Sequence, residues 1–74
     1  MKSLPELIQI AAAGGGMKVS AKVRTSEELI RLAASASNKG ARLIITSAER
    51  LPTTELVRIA AAGKGSVVFE GLEA

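Results

Sequence analysis

The sequence predicts an α/β fold made of three helix–strand repeats (αβαβαβ) around a small parallel sheet. Three observations lead to this prediction: a helical motif occurs three times, an aliphatic run follows each copy, and small or glycine residues separate the two. The copies read PELIQIAAAGGGMKV, EELIRLAASASNKGARLII and TELVRIAAAGKGSVVF. Internal repeats of this kind are typical of proteins in which each unit packs against its neighbour. We therefore expect residues 1–74 to form one α/β repeat domain.

Aliphatic residues recur at helical spacing in each copy. The predicted helices span residues 3–13, 26–38 and 53–62. The first two begin with pairs three residues apart, Ser3 with Glu6 and Thr25 with Glu28, which is the spacing of a capping box. Pro52 marks the start of the third helix. Each helix therefore has a start signal in the sequence.

The aliphatic runs predict strands at residues 17–23, 41–47 and 66–70. In the first run, apolar residues alternate with Lys18, Ser20 and Lys22. This alternation, together with Arg42 and Thr46 in the second run, predicts that one face of the sheet is exposed to water. Helices would then cover one face only, in a two-layer, short solenoid-like arrangement with sheet order 1-2-3. The alternative is order 2-1-3, with helices on both faces.

Glycines follow the helices in the stretches IAAAGGGMKV and IAAAGKGSVV. A phosphate-binding loop needs the opposite order, with glycines between a strand and the start of a helix. The C-terminal end of a helix carries the negative end of its dipole and repels anions. We therefore interpret Gly14, Gly40 and Gly63 as residues that close helices in the left-handed conformation.

The composition argues against an enzyme. The chain has no Cys and no His, so thiolate nucleophiles, zinc–thiolate sites and the usual general base are missing. The sequence places no two of its glutamates on opposite sides of one substrate. We expect no catalytic residue, no cofactor and no metal site. We also expect no signal peptide and no membrane span, and therefore a cytoplasmic protein of bacterial type.

The predicted function is a non-enzymatic protein-interaction module that binds a protein partner or a second copy. Its predicted association edge is the short, almost uncharged last strand, Ser66, Val67, Val68 and Phe69. The alternative is a weak nucleic-acid or anion binder, because the net charge is +3. Its candidate contacts are the basic residues on the predicted open face and at the helix starts: Lys18, Lys22, Arg42, Arg24 and Arg50.

Overall fold

Helices and strands alternate along the chain in the computed structural model, which describes residues 2–72. The elements are α1 (Leu4–Ala12), β1 (Met17–Ser20), α2 (Ser26–Lys39), β2 (Leu43–Thr46), the 3-10 helix Ala48–Arg50, α3 (Thr53–Gly63) and β3 (Val67–Phe69). The strands form one parallel sheet in the order β1-β2-β3. The predicted α/β class and the order 1-2-3 are confirmed, and the alternative order 2-1-3 is wrong. The 3-10 helix has no counterpart in the prediction.

The sheet has one covered face and one open face. On β2, Leu43 and Ile45 are fully buried, whereas Ile44 and Thr46 are only half-buried. The register aligns Leu43 with Met17 and Val67 in the neighbouring strands. Side chains of this covered row pack into the core with the helices. The result is two layers, with the helices on one side of the sheet.

The core lies between α2 and the covered face of the sheet. α2 contributes its buried residues Leu29, Leu32, Ala33 and Ala36. It lies between α1 and α3 and packs against both. Two of these four residues are alanines, whose small side chains allow neighbouring helices to pack closely.

Both predicted capping boxes are present. The Glu6 N–H donates to Ser3 Oγ at 3.4 Å, and the Ser3 N–H donates back to Glu6 Oε1 at 3.0 Å. Thr25 and Glu28 repeat this arrangement at 3.2 Å and 2.9 Å. α3 begins directly after Pro52, as predicted, although no side chain caps it.

The strands are shorter than predicted, and β1 shows the reason. The Ala21 N–H donates to Thr46 O at 2.9 Å, and the chain then leaves the sheet. The Lys22 N–H turns to Ser20 Oγ at 3.1 Å, and the Val23 N–H turns to Ser20 O at 3.3 Å. These local hydrogen bonds replace the ladder, so the predicted strand 17–23 ends at Ser20. β2 and β3 are likewise shorter, at 43–46 and 67–69.

The helix ends confirm two of the three glycine predictions. Gly14 and Gly40 have φ of +100° and +68°. The prediction for Gly63 is wrong, because Gly63 is the last residue of α3 and Lys64 takes the left-handed conformation with φ of 48°. Gly63 is needed for another reason: a Cβ at this position would collide with Val67 Cγ2.

Candidate functional site

β1 is an edge strand, and no strand among residues 2–72 pairs with its outer side. The Met17 N–H donates to the carbonyl oxygen of Arg42, directly before β2, at 3.0 Å, and the Ala21 N–H donates to Thr46 O of β2 at 2.9 Å. Because alternate residues of a strand direct their backbone groups to opposite sides, Lys18 and Ser20 direct theirs away from the sheet. This free side is a template for another strand.

A cleft of about 210 Å³ lies along the same edge. Its apolar lining comes from Leu7 of α1, Val19 of β1 and Val23, and Val23 is 58% exposed. Its polar lining comes from Lys2, Lys18, Ser20 and Arg24. The cleft therefore combines apolar surface, positive charge and free backbone groups along one strand.

Arg24 holds the wall of this cleft together. Its Nη2 donates to the Lys2 carbonyl oxygen at 2.7 Å, and its Nη1 lies 3.8 Å from Glu28 Oε2. The Arg24 side chain is only 10% exposed. The guanidinium thus ties the segment before α1 to the start of α2, and most of it is withdrawn from solvent.

The five predicted basic contacts do not form one surface. Lys18 lies on the open face, where its Nζ is 3.8 Å from Glu70 Oε2 at the end of β3. Lys22 lies in the turn after β1, so the prediction that it shares the sheet face with Lys18 is wrong. Arg42 precedes β2 and is exposed, and Arg50 lies on the 3-10 helix.

β3, the predicted association edge, is the opposite edge strand of the sheet. Ser66 O accepts from the Leu43 N–H at 2.8 Å, and the Glu70 N–H donates to Ile45 O at 2.9 Å. The backbone groups of Val67 and Phe69 therefore face away from the sheet. Their side chains pack against the core, whereas Val68 alternates with them onto the open face. No strand among residues 2–72 pairs with this side of β3.

The two ends of the helix layer expose residues that are buried elsewhere. In the shared motif Glu-Leu-aliphatic-polar-aliphatic-Ala-Ala, the fifth position is Ile10 in α1, Leu32 in α2 and Ile59 in α3. Ile10 is 41% exposed, whereas Leu32 and Ile59 are fully buried. The fifth position is thus buried in α2 and α3, each of which has another helix before it in the layer, and exposed in α1.

The sixth motif position shows the reverse pattern. It is Ala11 in α1, Ala33 in α2 and Ala60 in α3. The first two are buried and Ala60 is exposed. Ala33 faces α3, since a Cβ on Gly63 would lie 3.5 Å from the Ala33 Cβ. Sequence reasoning assigned no residues to these two end surfaces, although the three aligned motifs contain the signal.

The capping box of α1 lowers the pKa of one carboxylate, Glu6. The Ser3 backbone N–H and, secondarily, its hydroxyl donate to the exposed Glu6 carboxylate and hold the pKa of Glu6 below its ordinary value of 4.5. This arrangement stabilises α1 and leaves Glu6 a weak proton donor. Among residues 2–72, no three carboxylates converge as a metal site would require.

Two further findings concern membrane-spanning helices and similarity to known proteins. None of the helices between residues 2 and 72 has the length and apolar character needed to cross a membrane. Comparison with known proteins finds no family model, no curated protein and no solved structure that matches this chain significantly.

Proposed function

We propose that this chain is a non-enzymatic protein-interaction module that binds another polypeptide along a free edge of its sheet. One observation carries the proposal: the outward-facing N–H and C=O of Lys18 and the N–H of Ser20 lie beside a cleft with an apolar lining, while the Ser20 carbonyl accepts from the Val23 N–H. An extended segment that joins a sheet edge gains affinity from main-chain hydrogen bonds and specificity from pockets for alternate side chains. The β1 edge offers both.

The same edge supports a polypeptide partner better than a nucleic acid. Sheets that bind single-stranded nucleic acid stack bases on aromatic side chains. The only aromatic residue, Phe69, packs into the core on the covered side. Lys18 is already close to Glu70, and Lys22 is displaced into a turn. Among the residues that the structure describes, the open face thus has neither an aromatic stacking surface nor a row of free cations.

The proposal is tested in two steps. Peptides that bind the protein are first selected from a display library of random 12-residue peptides, and the ¹⁵N-labelled protein is then titrated with each selected peptide. We expect the amides of β1 to shift and to exchange more slowly with solvent when a peptide binds. The Lys18→Pro variant removes an N–H that points away from the sheet, so β1 still pairs with β2 while strand addition is blocked. Lys18→Ala is the matched control, since it removes the side chain and keeps the N–H.

We expect Lys18→Pro to weaken peptide binding at least about tenfold more than Lys18→Ala does, because a main-chain hydrogen bond to the added strand is lost. Equal binding to both variants would overturn the proposal, as would selected peptides that leave the β1 amides unchanged. A single-stranded oligonucleotide is titrated in parallel. Shifts of Lys18 and Arg42 that disappear at high salt would instead favour the nucleic-acid alternative.

A further inference from the structure

We infer that a second copy of this chain is the partner for both ends of the molecule, and that copies bind head to tail. In this arrangement, α3 and β3 of one copy contact α1 and β1 of the next. The inference rests on the proposed function, because it names the polypeptide that the free edges accept. It follows from three separate features: the helix ends, the strand edges and the charges.

The helix ends continue the interface that the helices already form with each other. Inside the chain, the fifth motif position of one helix is covered by the helix before it, and the sixth position by the helix after it. Between residues 2 and 72, no helix precedes α1 beside Ile10 and none follows α3 beside Ala60, and both residues are exposed. Val57, at the third position of α3, is 61% exposed beside Ala60. The two end surfaces therefore carry the two halves of one contact.

Neither end is closed by polar residues at these positions. Repeat proteins that remain monomeric have terminal repeats with a polar outer surface. Here the first and third motifs match from Glu6 to Ala13 and from Glu55 to Ala62 with only two changes, Gln9 for Arg58 and Ile8 for Val57. The terminal helices thus keep the residues suited to an internal position.

The strand edges fit each other in the register already present in the sheet. The Leu43 N–H of β2 donates to Ser66 O and so pairs β2 with β3. Val67, which aligns with Leu43, directs its own backbone groups to the free side of β3 in the same way. The backbone groups on the free side of β1 belong to Lys18 and Ser20. In the strand alignment of the sheet, these two residues stand at the same level as Val68 and Glu70. A second copy placed against β3 therefore continues a parallel sheet without a shift in register.

The charges at the two edges are of opposite sign. Lys22 is exposed in the turn after β1, and Lys18 keeps 60% of its side chain exposed although its Nζ lies 3.8 Å from Glu70 Oε2 of the same copy. Glu70 follows β3 with its side chain 48% exposed, and the exposed Glu49 lies near Gly71 at the same end. Head-to-tail contact brings the acidic edge to the basic edge, whereas two copies joined by identical edges bring like charges together.

A contact between different surfaces leaves a free surface at each end of the dimer. Such heterologous contacts form rings when the rotation closes and open chains when it does not. This property distinguishes the inference from an ordinary two-fold dimer, in which identical surfaces meet and growth stops at two copies.

Sedimentation velocity of the full chain tests the inference over a range from about 10 µM to 1 mM. Ile10→Glu places a charge on the α1 end and Ala60→Glu places one on the α3 end. Ala34→Glu is the matched control, since the seventh motif position is exposed in all three helices. Far-UV circular dichroism and the urea midpoint of each variant verify that it is folded.

We expect the average mass of the wild type and of Ala34→Glu to rise with concentration beyond that of a dimer. Each end variant alone should associate at least about tenfold more weakly. An equal mixture of the two end variants should form dimers and stop there, because each variant keeps one intact and complementary end.

Three results would overturn the inference: a wild type that stays monomeric, a mixture that does not dimerise, or an Ile10→Glu variant that associates like the wild type. Peptide binding at β1 in a strictly monomeric chain would overturn this inference and leave the proposed function standing. If neither peptides nor a second copy bind, both fail.

Discussion

Gly63 of α3 packs directly against Ala33 of α2, and a Cβ on Gly63 would lie 3.5 Å from the Ala33 Cβ. The same Cβ would collide with Val67 Cγ2. We predict that Gly63→Ala destabilises the protein by about 1–3 kcal/mol, because overpacking outweighs the gain of about 1 kcal/mol in helix propensity. Urea unfolding measures the change. In a Val67→Ala background the loss should shrink markedly, and an unchanged loss would contradict this account.

The residue after Gly63 gives a prediction of the opposite sign. Lys64 has φ of 48°, a conformation that favours glycine. Lys64→Gly should raise the free energy of unfolding by up to about 1 kcal/mol, since relief of strain exceeds the added flexibility of the unfolded chain. Gly65, with φ of +92° and open space around its Cα, is the control. Gly65→Ala should be destabilising, and a destabilising Lys64→Gly would contradict the explanation.

Two predictions from the sequence pattern were wrong: the left-handed conformation of Gly63 and the length of β1. Both depend on contacts that the pattern does not contain. Features set by neighbouring residues were predictable: Ser3 and Glu6 form the expected capping box because both partners lie within one helical turn. The role of Gly63 could not be predicted in this way, because it depends on packing against the side chains of Val67 and Ala33 in the folded chain. The alternation after Ser20 continues unchanged in the sequence, but two local hydrogen bonds to Ser20 end the strand.

The candidate site was predictable only in part, for the same reason. The edge position of the last strand was expected from chain order, and β3 lies at an edge of the sheet. Which residues the ends of the helix layer expose did not follow, because Ile10 and Ile59 are the same residue type in the same motif. One is exposed and the other buried because α2 covers α3 from the preceding side, whereas residues 2–72 contain no helix that covers α1 in the same way.

The one-sided sheet predicts a large difference between adjacent residues of β2. Ile45 is fully buried against the helices, whereas Ile44 lies half-buried on the open face. Ile45→Ala should cost about 2–5 kcal/mol, the usual range for a buried aliphatic side chain. Ile44→Ala should cost less than half as much. Urea unfolding of the two variants compares them directly, and equal losses would show that the open face is covered in solution.

The capping box of α1 predicts a defined pH dependence. Hydrogen bonds from Ser3 lower the folded pKa of Glu6 below its ordinary value of 4.5. Since the folded pKa is the lower one, this stabilisation is complete above pH 4.5 and is lost as the pH falls through the folded pKa. The urea midpoint of Glu6→Gln should therefore fall less than that of the wild type between pH 7 and pH 3. Parallel profiles would contradict the assignment.

The capping box of α2 should matter more for stability, because α2 is the central helix. Thr25 accepts from the Glu28 N–H at 3.2 Å. Thr25→Ala should cost about 1 kcal/mol, and Ser3→Ala on the terminal helix α1 should cost less. Thermal unfolding of the two variants gives the comparison. A larger loss for Ser3→Ala would show that the N-terminal helix, and not α2, is the main source of stability.

Amide hydrogen exchange of the β1 and β3 edges, measured by NMR at two protein concentrations, tests the central claim most directly. In dilute protein, the amides of Met17 and Val19 should exchange slowly, whereas those of Lys18, Val67 and Phe69 should exchange fast. At about 1 mM, head-to-tail pairing should slow the exchange at both edges together, by tenfold or more if most copies are bound. Edge amides that exchange equally fast at both concentrations would contradict the account.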